Sequence, residues 1–195
     1  MASRPSTAAQ NLVALPGLYV TCGVLNGSVL YAAAGPISGP IIAMDTLLRV
    51  DDATGQVDRL TRAAVGCPVL ADGGVWFADA DADVLVEADP SNLTVWHSFA
   101  LPSASQYAIA AAGGGLWVAS TQALWRIDPA TGRCRLTVGL PAGLQSVSLL
   151  ASRDGAVLYV GLGASPPGPA VEARDPIDGH LLAGPAYLPG TATVR

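Results

Sequence analysis

The chain has 195 residues, 51% of them hydrophobic and 13% charged, with a formal net charge of −5. That length and apolar content suffice for one sizeable core and exclude a disordered chain. All ten basic residues are arginine, scattered along an acidic sequence, which excludes the concentrated basic face of a nucleic-acid binder. The apolar runs fall far short of the ~20 residues of a membrane-spanning helix.

Residues 1–16 are largely Ser, Thr and Ala without periodicity and read as a flexible N-terminal arm. The start, Met1 to Thr7, carries one Arg and is followed by no apolar core of a secretory signal, so the expected location is the cytoplasm, or outside the cell if a longer precursor precedes it. Periodic structure begins at residue 17. Leu18 to Leu25 reads as a strand, Asn26-Gly27 as a tight hairpin turn, and Val29 to Ala34 as a second strand. A long Gly/Pro loop, 35–40, leads to an outer hairpin of Leu47 to Asp51 and Gln56 to Leu60.

The same order returns three times. In 63–101 the turn Asp72-Gly73-Gly74 precedes the strand Val75 to Ala78, the turn Asp79 to Asp83, and strands Val84 to Ala88 and Thr94 to Phe99. In 102–140 the turn Gly113-Gly114-Gly115 precedes Leu116 to Ser120, then Ala123 to Asp128 and the turn Pro129-Ala130-Thr131-Gly132. In 141–188 the run Asp154-Gly155-Ala156-Val157-Leu158-Tyr159 closely repeats Asn26-Gly27-Ser28-Val29-Leu30-Tyr31, and a second long loop, 163–169, takes the place of 35–40.

Two landmarks bring the copies into register. An aromatic residue follows each first turn, Tyr31, Trp76, Trp117 and Tyr159, at separations of 45, 41 and 42 residues. An aspartate closes each third strand, Asp51, Asp89, Asp128 and Asp175, at separations of 38, 39 and 47. A period of roughly 40–50 residues with four short strands per copy predicts an all-β fold, a β-propeller of four blades. Leu-Pro pairs at 15–16, 101–102, 140–141 and 188–189 mark the hand-overs, where a residue with no ladder donor belongs. Residues 189–195 then read either as a strand closing a small ring or as the start of a further blade in a larger one, and an incomplete ring would favour a homo-oligomer.

The recurring Gly-Gly-x-h-Trp/Tyr-Val-Ala and h-Arg-h-Asp-Pro-x-Thr-Gly pattern, where h is an apolar residue, resembles the repeats of YVTN-type, quinoprotein-like and virginiamycin B lyase-like propellers over residues 17–188. The resemblance implies the propeller fold. Such families include lyases, dehydrogenases, hydrolases and plain binding platforms, often with more than four blades, and no family's catalytic residues match positions here.

Cys22, Cys67 and Cys134 are an odd number at no metal-ligand spacing and read as small buried apolar side chains, a bridge being disfavoured because neighbouring innermost strands of a propeller are expected to diverge. Asp79, Asp81 and Asp83 are the candidate metal ligands, because alternate carboxylates in a loop can converge on Ca2+ or Mg2+. Against them, the EF-hand positions for Gly and Glu hold Val84 and Pro90, and a solvated hairpin turn also accounts for the triplet. His97 and His180 have no Ser, Cys or carboxylate at a spacing that implies a catalytic partner. The recurrent aspartates suit turn-amide capping, and the recurrent Trp residues suit inter-blade packing. No nucleophile elbow, HExxH pair or phosphate loop is present. The expectation is therefore a scaffold presenting its loops to a protein or small-molecule partner, without a cofactor; the alternative is part of a propeller enzyme, a metal-assisted lyase or hydrolase or a quinoprotein-like protein.

Overall fold

The computed structural model describes residues 15–37, 44–104, 106–164 and 169–187. These residues form the expected all-β propeller of four blades, each a four-stranded antiparallel meander. The first blade comprises β1 (Leu18–Asn26), β2 (Val29–Pro36), β3 (Thr46–Asp51) and β4 (Val57–Thr61). The second comprises β5 (Val69–Ala71), β6 (Gly74–Asp79), β7 (Val84–Ala88) and β8 (Val95–Ala100), and the third β9 (Ala108–Ala112), β10 (Gly115–Ala119), β11 (Ala123–Asp128) and β12 (Arg133–Gly139). The fourth comprises β13 (Leu144–Ala151), β14 (Leu158–Ala164), β15 (Ala170–Arg174) and β16 (Leu181–Tyr187). Most of the two long loops, and residues 188–195 of the tail, lie outside the described residues.

Burial follows from radial stacking. A second strand lies between two neighbouring blades, so both its faces are covered: β6 and β10 are buried at every position. Outer strands such as β12 alternate between half-buried and exposed. Three clusters fill the joints. Tyr31, Ala33 and Leu47 meet Val75, Phe77 and Val86 between the first two blades. Trp76 and Leu85 meet Leu116, Val118 and Ile127 between the second and third, and Trp117, Ala119 and Leu124 meet Leu158, Val160 and Leu162 between the third and fourth.

Two joints share one polar rule. The Tyr31 hydroxyl donates to the Pro90 carbonyl at 2.7 Å, and Trp117 Nε1 donates to the Pro176 carbonyl at 3.0 Å. In each, the aromatic of one blade reaches the Asp-Pro turn of the next, 59 residues later. Trp76 departs from the rule and donates to Ala71 O within its own blade.

The turn glycines serve the same joints. Gly179 has φ +71°, and a Cβ there would lie 2.9 Å from the Trp117 ring and 2.9 Å from Val138. At the equivalent Gly55, φ is +73° but a Cβ would meet nothing within 4 Å. Gly55→Ala is therefore expected to cost about 1–2 kcal/mol from the left-handed backbone alone. Gly179→Ala adds overpacking of about 1–3 kcal/mol. Urea titration of the two variants checks the ordering, and equal losses would remove the joint from the explanation. In the second blade Leu93 takes this position at φ +62°, its side chain buried among Tyr31 and Phe77.

The cysteine expectation is corrected. Cys22 and Cys67 form a disulfide with Cα atoms 5.6 Å apart, and Cys134 is exposed on β12. Blades converge toward the hub, so β1 and the approach to β5 are close enough to bridge; divergence applies to the outer strands. Among the described residues no extended contact joins the fourth blade to the first, whereas β1 meets β5, β5 meets β9 and β9 meets β13.

Candidate functional site

In a meander the first and third turns lie at one end of the sheet and the second loop at the other, so one rim of the propeller collects the Gly turns and the Asp-Pro turns. A groove of about 420 Å³ runs there, lined by Ala71 and Asp72, the run Ala111 to Gly115, Pro129, Asp154 and Gly155. A hollow of about 280 Å³ continues it past Asp72 to Asn26 and Pro90. Each blade contributes the turn between its first two strands.

The groove wall is held by backbone bonding. Gly113 N–H donates to Gly155 O at 3.3 Å, tying the third and fourth blades, and Arg126 Nη2 donates to Gly113 O at 2.8 Å. A Cβ on Gly113 would lie 2.6 Å from Pro176 O, so glycine lets these two blades close up. The carboxylates of the groove are Asp72 and Asp154, both exposed. The Ser152 hydroxyl, at 2.6 Å, and then the Ala156 N–H hold Asp154 below the usual carboxylate range. Among the described residues its lining holds no histidine, cysteine, serine or threonine, so its side-chain polar groups are the two carboxylates, set beside main-chain groups.

The predicted ligands occupy one turn but different settings. Asp79 is buried and accepts from Ala82 N–H at 3.4 Å, Asp81 is exposed, and Asp83 is half-buried at φ +51°. Asp83 Oδ1 accepts from the Tyr107 hydroxyl at 2.8 Å and Ala104 N–H at 3.2 Å. The hydroxyls of Ser103 and Tyr107, then the Ala104 amide, lower the Asp83 pKa, while burial and the Asp83 carboxylate raise that of Tyr107. Asp83 thus ties the second blade to the strap entering the third.

Among the described residues the titratable trio whose ligand atoms lie within 4.8 Å of one another is Asp175, Asp178 and His180. The turn itself explains that convergence: Asp175 Oδ1 accepts Ile177 N–H at 2.7 Å, and Asp178 Oδ1 accepts His180 N–H at 3.0 Å with His180 Nδ1 at 2.6 Å. Spacing in the sequence implies no partner for either histidine. His97 Nδ1 lies 2.8 Å from Glu87 Oε2 because the two residues are register partners across β7 and β8. Counting the hairpin register was the signal that would have found this pair.

Five turn carboxylates are held below their ordinary value: Asp83, Asp89, Asp128, Asp154 and Asp178. The largest cause is the Ser91 hydroxyl for Asp89, Arg135 for Asp128 and the His180 N–H for Asp178. A folded-state pKa below the unfolded one gives stability that is present above about pH 4 and lost as acid protonates the folded form. Tm is expected to be level from about pH 7 to 5 and to fall below about pH 4, read by calorimetry; a Tm that rises on acidification would refute the assignment.

Radial meanders, hub-facing inner strands and a turn-lined rim define a β-propeller repeat protein. No protein-family model matches the sequence, and no curated protein matches it. Solved structures do. The hydrazine synthase of Kuenenia stuttgartiensis aligns with a TM-score of 0.66 at 17% identity, over 93% of this chain and 52% of that one. A streptogramin B lyase aligns with a TM-score of 0.57 at 14% identity, over 82% of this chain and 54% of that one. The chain spans about half the length of both structures, and at these identities the likeness is one of fold. Among the described residues no helix is long and apolar enough to cross a membrane.

Proposed function

We infer that the chain is a propeller binding module whose rim groove, with Asp72 and Asp154 on its walls, receives a cationic group of a protein or small-molecule partner. The observation that carries this reading is the groove lining: two exposed carboxylates beside glycine main chain. A protein of net charge −5 adds a favourable long-range field for such a ligand. Titrating a tri-arginine peptide into 15N-labelled protein is expected to give saturable shifts at Gly113, Gly114 and Gly155, weakened several-fold by Asp154→Asn. Shifts scattered over the surface, or none, would overturn the reading.

The second reading is part of a propeller enzyme, supported by the enzyme names of both structural neighbours and by the carboxylates Asp79, Asp81 and Asp83. It predicts a rise in Tm with Ca2+ or Mg2+ that Asp81→Ala removes. No shift with either ion leaves the binding module standing. The Cys22–Cys67 bridge supports an oxidising compartment as the working location, against the cytoplasmic expectation, because such bridges rarely persist among cytosolic thiols.

A further inference from the structure

We propose that Asn92 is an N-glycosylation site, the acceptor of an oligosaccharide handed over from a lipid-linked diphosphate donor in the compartment where the Cys22–Cys67 bridge forms. The proposal rests on the oxidising location inferred from that bridge. Two of the chain's three asparagines begin an Asn-x-Ser/Thr triplet without a central proline, Asn26-Gly27-Ser28 and Asn92-Leu93-Thr94. That triplet is what an N-glycosyl transferase reads, and a surface turn must carry the bulky product. The folded surroundings of the two asparagines differ.

Asn92 is exposed on the turn between β7 and β8. Its Oδ1 accepts the Thr94 N–H at 2.8 Å, an Asx turn that brings the carboxamide beside the threonine two residues on. Its Nδ2 makes no hydrogen bond among the described residues, so exchanging one of its protons for a sugar breaks no native contact. The turn is anchored from beneath, which lets it bear added bulk. Pro90 O accepts from the Tyr31 hydroxyl at 2.7 Å and Arg49 Nε at 2.9 Å, Asp89 Oδ1 accepts from Ser91 N–H at 2.7 Å, and Leu93 is 2% exposed.

The Asn26 carboxamide has no such bond among the described residues. It lines the hollow of about 280 Å³ together with Leu70 and Gly73, where an attached sugar would crowd the wall. A glycan on Asn92 would instead leave the chain two residues beyond Pro90, on a different blade from Gly113 and Asp154, the main-chain and carboxylate groups of the larger groove.

The transfer balances as a substitution. Asn92 Nδ2 attacks the anomeric carbon of the donor sugar, the bond from that carbon to the diphosphate oxygen breaks, and the lipid diphosphate leaves with the electron pair. One Nδ2 proton passes to a base of the transferase. The chain itself supplies the acceptor and the Thr94 hydroxyl that the transferase recognises.

Peptide mapping of the protein purified from its native cells tests the proposal. Digestion with an N-glycosidase in heavy-oxygen water is expected to leave a heavy-oxygen-labelled aspartate at position 92. Thr94→Ala, which keeps Asn92 in place, should abolish the label, and Thr94→Ser should retain it; spontaneous deamidation of an exposed asparagine would be indifferent to that hydroxyl. Asn26→Gln should leave the label at position 92 unchanged. A bare Asn92 in the native protein, or a label that survives Thr94→Ala, would overturn the proposal. Thiol titration of the same material separates it from the reading of the compartment: a bare Asn92 with the Cys22–Cys67 bridge intact overturns the glycan alone, and a bare Asn92 with both thiols free overturns the two together.

Discussion

Trp117→Ala is expected to lower Tm by roughly 6–20 °C, the loss that follows from removing a fully buried indole at about 3–5 kcal/mol in a chain of this size. Three effects coincide there. The indole fills the joint between the third and fourth blades, its Nε1–H satisfies the Pro176 carbonyl, and its ring lies against Gly179, so truncation leaves a cavity and an orphaned acceptor together. Trp117→Phe separates them: it keeps most of the ring and loses the bond, for about 1–3 kcal/mol. Tyr159→Ala is the internal comparison. Tyr159 is 39% exposed and has no buried neighbouring blade over it among the described residues, so its cost should stay within about 0.5 kcal/mol. Calorimetry on the three variants decides. A Trp117→Ala loss no larger than that of Tyr159→Ala would mean the blades do not depend on their joints.

Reduction of the Cys22–Cys67 bridge is the second large effect. The bridge closes a sequence separation of 45 residues, and the chain-entropy relation for a loop of that length gives about 4 kcal/mol. Tm should drop by roughly 8–16 °C in excess dithiothreitol, and the Cys22→Ala, Cys67→Ala double variant should show the same drop without reductant. Cys134→Ser should change nothing, since that thiol is exposed and outside the bridge. Loss of the first blade ahead of the others, seen by hydrogen exchange, would follow from where the bridge sits, between β1 and the segment leading into β5. An unchanged Tm on reduction would show that the hub contacts alone hold these strands.

Most of the fold was legible because it is written locally and four times. Each Gly-containing turn accepts the positive φ that a tight hairpin requires, each apolar run has strand length, and each Asp caps its own turn amides within two or three residues; Asp51, Asp89, Asp128 and Asp175 all do so. The groove was not legible. Its walls are turns about 40 residues apart in sequence, built from Gly, Ala, Pro and Asp that individually read as punctuation, and only the radial stack brings Asp72, Gly113 and Asp154 to one rim. The aspartates singled out from the sequence, Asp79, Asp81 and Asp83, looked alike because alternation hides burial, and packing then gave each a different environment.

By itself the amino-acid sequence determined the period, the strand order within each blade and the residues that make the turns, since all of these depend on neighbours a few positions away. The tertiary structure alone decided which aromatics are covered, which cysteines meet and which rim is hollow. Those properties depend on the adjacent blade, and Tyr159 shows the consequence: it repeats the context of Tyr31 nearly residue for residue, yet is 39% exposed where Tyr31, packed against the second blade, is 2% exposed.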